Sequence, residues 1–168
     1  MADYVPAWIE IGGPIPRQII PELIDCIEGD CLSDDYGAKP IEPKSAEDLL
    51  ELAIDENGDP GTLKLYHEEA HNGEFDELEE FLEEHSIGFD RHGDGGGDFS
   101  PEIKRYRAGW LAPTITFLDG AGQELIPSFD VGEGLKLLRA GKTAEAIGHF
   151  AALTNEGVPA LQPLEFVG

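Results

Sequence analysis

Positive charge is scarce in this chain. Eleven lysines and arginines stand against thirty-five aspartates and glutamates, for a formal net charge of −24 at pH 7. A charge of that size repels nucleic acid and anionic membrane surfaces and favours cations or basic protein surfaces. Direct contact with a phosphate backbone is therefore not expected. Cysteine is scarcer still: Cys26 and Cys31 are the only two, and their spacing matches neither a redox pair nor a zinc ligand set. No apolar run approaches the ~20 residues of a membrane span. The stretch Met1 to Trp8 lacks a basic n-region and an apolar h-region, so no secretory signal is expected. A cytoplasmic location follows by elimination.

What the chain does have is an apolar content of 40% in 168 residues, enough for a real core. Val5, Ala7, Ile9 and Ile11 alternate with polar or aromatic residues and predict a strand ended by Gly12-Gly13-Pro14. Ile19, Ile20, Leu23, Ile24 and Ile27 recur at helical spacing, with Pro21 pushing the helix start towards Ile20. A weak strand is expected from Tyr36 to Ile41. Ser45-Ala46-Glu47-Asp48 has the capping-box pattern and opens a short second helix. Thr62 to Tyr66 reads as a strand. The third helix is the clearest element, with Asn72 as its expected cap and Phe75, Leu78, Phe81 and Leu82 on one side. Strands follow at Ile87 to Asp90 and Ile103 to Tyr106, then a hairpin pairing Thr114 to Leu118 with Glu124 to Ile126. Helices from Gly132 to Ala140 and Thr143 to Leu153 and an apolar tail complete the chain.

This order predicts an α+β protein: a mixed sheet with helices mainly on one face, in a ferredoxin-like or split βαβ arrangement, over residues 1–110. Residues 111–168 are expected to form a C-terminal hairpin, helical pair and tail packed on that body. Ala112-Pro113-Thr114-Ile115-Thr116-Phe117-Leu118-Asp119-Gly120 resembles the proline-led hairpin of thioredoxin-like proteins, but no Cys-x-x-Cys precedes it to run their redox chemistry. Leu138-Arg139-Ala140-Gly141-Lys142-Thr143-Ala144-Glu145-Ala146-Ile147-Gly148-His149-Phe150 resembles the inner part of a tetratricopeptide hairpin; a single copy cannot build the stacked array of such repeats.

Two strings carry metal-ligating residue types. His67-Glu68-Glu69-Ala70-His71 matches the zincin pattern H-E-x-x-H, which needs both histidines on one face of a helix with the glutamate beside the metal-bound water. A metal-dependent hydrolase is the corresponding alternative. However, the string follows a strand and runs straight into Asn72-Gly73, which places it between elements. Asp90, Asp94 and Asp98 occupy calcium-loop positions one, five and nine, and would make a cation-binding regulatory module with weak divalent affinity. Pro101 stands where the bidentate glutamate belongs. No other cofactor is expected.

The strongest functional signal is the charge distribution. Residues 46–100 hold eighteen acids and only Lys64 and Arg91 as bases. Glu74, Asp76, Glu77, Glu79, Glu80, Glu83 and Glu84 crowd the third helix, one negative charge per ~2.4 Å of helix against one per ~1.7 Å of duplex DNA. In size and charge the chain is similar to anti-restriction DNA mimics. The expectation is a non-enzymatic acidic protein-interaction module, docking on a basic protein surface through those seven residues, including the possibility of an inhibitor that imitates a nucleic-acid backbone.

Overall fold

The computed structural model describes residues 3–97 and 100–168. Strand β1 (Tyr4–Gly12) lies inside a six-stranded sheet, and its alternation is the predicted one. Val5, Ala7, Ile9 and Ile11 are buried, with Pro6, Trp8 and Glu10 half-buried on the other face. β2 (Pro14–Pro16) follows directly, then a single 3-10 turn over Arg17–Ile19 and helix α1 (Ile20–Gly29). Pro21 is tolerated because the first helical turn has no use for its missing N–H. Helix α2 (Ala46–Leu52) starts at the predicted capping box: the Ser45 side chain accepts from the Asp48 N–H, and the Asp48 carboxylate accepts from the Ser45 N–H. β3 (Leu63–His71), α3 (Asp76–Glu84), β4 (Gly88–Gly93), β5 (Glu102–Tyr106), β6 (Thr114–Leu118) and β7 (Glu124–Leu125) come next, then α4 (Ser128–Arg139), α5 (Thr143–Leu153) and β8 (Glu165–Val167).

The strand order is β3-β1-β4-β5-β6-β7. The α+β class holds, with one adjustment to its sheet. Every ladder of this sheet is antiparallel, and the parallel pairing lies apart, between β2 and β8. A split βαβ unit is present once: β3 and β4 share a direction, are joined by α3, and hold β1 antiparallel between them. The ferredoxin-like pattern needs a second such unit. Here β5, β6 and β7 follow β4 as a meander instead, because short turns can join only antiparallel neighbours.

Ile9 faces Leu65 on one side and Arg91 on the other; Ile11 faces Leu63 and Phe89. These apolar side chains form one core with Leu23 and Ile27 of α1 and Leu78 and Leu82 of α3. Both helices therefore cover the same face. The opposite face carries Trp8 stacked on His92, ring centroids 3.6 Å apart, with the Lys64 ammonium 4.9 Å from the indole centre. Burial lowers the His92 pKa to about 4.

The tail crosses one end of the sheet. Arg107 Nε donates to the Pro159 carbonyl at 2.7 Å, the Leu164 N–H to the Gly61 carbonyl at 2.7 Å, and Leu164 itself is buried. Gly12 has no room for a side chain, since a Cβ there would stand 2.2 Å from the Gln162 carbonyl oxygen. In the α4–α5 hairpin Gly134 is similarly constrained, with the Phe150 ring against its Cα. Three local expectations differ. Residues 36–41 form no strand, as glycine and proline interrupt the run and only Ser33 bridges to Tyr66. α4 begins at Ser128, earlier than predicted, directly after Pro127. Asn72 does not cap α3: at φ 54° it turns the chain out of β3, and its Oδ1 accepts from the Asp3 N–H.

Candidate functional site: the acidic face of the helix layer

The seven carboxylates of the third helix divide into two groups, a division invisible in their sequence. Glu79 is buried. Its Oε1 accepts from Arg91 Nε and from the Phe75 N–H, both at 3.0 Å, and its Oε2 lies 2.9 Å from Lys104 Nζ. Glu83 also reaches Lys104, at 2.7 Å, and Glu74 stands 3.8 Å from Arg91, which pairs in addition with Glu102 at 2.7 Å. The Arg91 side chain is only 1% exposed. Burial opposes the charge on Arg91 and on Lys104, yet the surrounding carboxylates outweigh it and raise both above their ordinary values. Burial raises the Glu74 pKa in spite of Arg91. Glu79, Glu83 and Glu74 thus neutralise the chain's own cations and are corrected out of the expected partner-binding set.

Asp76, Glu77, Glu80 and Glu84 remain exposed and have no ion-pair partner among the described residues. α1 packs beside α3 and adds Glu22, Asp25 and Asp30, also unpaired among the described residues. Where the helices meet, the charges are crowded. Burial, followed by the fields of Glu77, Glu79 and Asp76, raises the Asp30 pKa to about 6. One of its oxygens is enclosed without a hydrogen-bond partner. Burial, followed by the fields of Asp30, Glu77, Asp25 and Glu22, pushes the Cys26 thiol up, away from nucleophilic use. The α1 contribution was missed in the sequence, although Glu22, Asp25 and Glu28 recur at helical spacing; only packing brings them beside α3.

The zincin reading is overturned. His67 and His71 lie in β3, an extended edge strand, where no helix brings them to one metal. The His67 Nδ1 accepts from the Glu69 N–H at 2.9 Å, and the His71 ring meets Tyr4 edge-on. Both line a cleft of about 450 Å³ with Asp30, Cys31 and Glu74. Even so, no group of three or more histidine, cysteine or carboxylate side chains there or elsewhere among the described residues is arranged to hold a metal ion. The calcium-loop reading also dissolves. Asp90 sits within β4 and is held by Arg107, 2.7 Å away, while Asp94 is exposed beyond the strand end. Asp98 lies outside the described residues. β4 takes up the first four residues of the presumed loop, 90–93, because Phe89 and Arg91 are needed in the core. Among the described residues, no helix is long and apolar enough to cross a membrane. Comparison with protein families, curated proteins and solved structures finds no significant match to this chain.

Proposed function

We propose that the protein is a non-enzymatic interaction module whose acidic face, formed by the outward side chains of α1 and α3, docks on a basic surface of a partner protein. The observation that carries this reading is the sorting of charge. Arg91, Lys104, Arg105 and Arg107 are all engaged in ion pairs, whereas Glu22, Asp25, Asp76, Glu77, Glu80 and Glu84 on the adjoining helices, and Asp30 at the end of α1, lack an ion-pair partner among the described residues. Such an uncompensated patch attracts positive charge and steers its approach. Strict imitation of DNA fits less well. With Glu79 and Glu83 withdrawn, four carboxylates span nine residues of α3, one per ~3.4 Å, about half the linear density of the duplex.

The test is capture of a partner from a cell extract at low salt, comparing the natural chain with the variant Glu77→Lys/Glu80→Lys/Glu84→Lys. These side chains are exposed, so the fold should persist by circular dichroism while capture is lost. Capture by the natural chain should also weaken as salt rises, because exposed charges are screened. A partner retained equally by the reversed variant would falsify the reading.

A further inference from the structure

We infer that the helix-side face of β6 and β7, next to α3, is a seat for an amphipathic helix of a partner protein, apolar on one side and basic along its flank. The inference rests on the acidic-face reading above and names the partner's chemistry. The helix layer stops at α3, but the sheet continues. α3 packs over β4, and β6 lies two strands further on. Two strand spacings come to ~9.6 Å, within the ~8–10 Å that separates packed helix axes. A helix packed against α3 would therefore run over β6.

The floor at that position is apolar and open. Ile115 is 52% exposed, Phe117 42% and Leu125 45%. Phe117 lies directly opposite Leu125, and both share the face of Lys104 and Glu102, on which α1 and α3 rest. Leu111, fully exposed, lies three residues before β6. The wall is acidic. Glu83 is paired with Lys104 on the β5 side of α3, so the charge this wall offers is that of Glu80, three residues before it and exposed. An apolar floor beneath a carboxylate wall suits a helix with leucine-like side chains below and lysine or arginine at its edge.

The chain holds one segment of that chemistry, α4, where Val131, Leu135 and Leu138 are exposed beside Lys136 and Arg139. Its hairpin is anchored elsewhere. Asn155, just past α5, donates at 2.9 Å to Thr116 Oγ1 and Glu124 Oε1. Those residues alternate with Phe117 and Leu125 and so occupy the other face. A second copy would have to bring together two chains that each carry −24, against their mutual repulsion. A separate, basic partner is the occupant that the charges favour.

The probe is a fluorescein-labelled fifteen-residue peptide with leucine on one helical face and lysine on its flanks, titrated by anisotropy into the full-length protein at low salt. A scrambled peptide of the same composition, without an apolar face, serves as comparison. The double variant Ile115→Thr/Phe117→Thr keeps β-favouring residues at half-exposed positions, and circular dichroism checks its fold. The amphipathic peptide is expected to bind at least tenfold more tightly than the scrambled one. That preference should disappear in the double variant, and Glu80→Lys should weaken binding severalfold. If both basic peptides bind alike and the double variant changes nothing, the seat is wrong and the acidic-face reading stands. If neither basic peptide binds, the acidic-face reading itself has failed. Reversible association of the protein alone in sedimentation, abolished by the double variant, would make a second copy the occupant and overturn the inference.

Discussion

Strands β3, β1 and β4 lie under two helices and hide Leu63, Leu65, Ile9, Ile11 and Phe89 completely, whereas β6 and β7 leave Ile115, Phe117 and Leu125 in the open. The charge runs the other way. Residues 46–100 carry eighteen acids, while the chain from residue 121 onward carries six acids and three bases. Among the described residues, ten of the fourteen exposed large apolar side chains fall between Leu111 and Ile147. One end of the molecule therefore offers charge over a dry core, and the other offers apolar surface with little charge. Scattered apolar residues are ordinary on any surface; their concentration beside an acidic wall is what distinguishes this one. A partner touching both ends at their border gains steering from the first and burial from the second.

The comparison breaks most severely at the buried ion cluster, where Glu79, Arg91 and Lys104 place charge inside the helix-covered half. Glu79→Gln should cost about 3 kcal/mol in urea unfolding, the low end for a broken buried pair, because Glu102 and Glu83 still reach the two cations. Glu80→Gln, one residue away but exposed, should leave the midpoint unchanged. Equal midpoints for the two variants would mean that the division of α3 into inner and outer acids is wrong. The apolar half is tested next at Gly134. An added Cβ meets the Phe150 ring at 2.2 Å, so Gly134→Ala should destabilise the α4–α5 hairpin by about 2 kcal/mol. Hydrogen exchange should quicken in α4 and α5 and stay slow in β1 and β4. Acceleration throughout the sheet would show that the two ends do not behave separately.

The smallest effect belongs to Asp30 and concerns pH. Its pKa is raised to about 6 in the folded chain, above the ~3.9 of an unfolded aspartate. Between those values the folded state holds more protons than the unfolded one, so stability falls as pH rises from about 4 to 6. Asp30→Asn removes that loss. The variant should be more stable at pH 7 by about 1 kcal/mol, after allowance for solvent screening at a half-buried side chain, and should match the natural chain below pH 4. His92 acts oppositely. Its pKa is lowered to about 4, so its contribution is present above ~6.5 and is lost as pH falls towards 4. Thermal melts of Asp30→Asn across this range should reveal that acid-side loss more clearly than the natural chain does.

Much of the fold was legible because it is set by local rules. The alternation in β1, the helical spacing in α1 and α3, and the Ser45–Asp48 box each predict an element that forms. Asn72 misled because asparagine serves both helix caps and left-handed turns, and the chain needed the turn. The HEEAH string misled because residue spacing specifies a metal site only on a helix; here pairing with β1 extends the segment. The candidate site was half visible. Acid-rich α3 was plain, but its division into buried and exposed carboxylates depended on Arg91 and Lys104, which lie outside the helix on β4 and β5.

By itself the sequence determined composition, charge and most elements, since those depend on neighbours within a helical turn or a strand pair. Tertiary structure alone decided that α1 lies beside α3, that Glu79 turns inward, and that β6 and β7 extend past the helix layer. Each of these joins residues far apart in the chain, where the energies come from burial and pairing and leave no periodic trace in the order of residues.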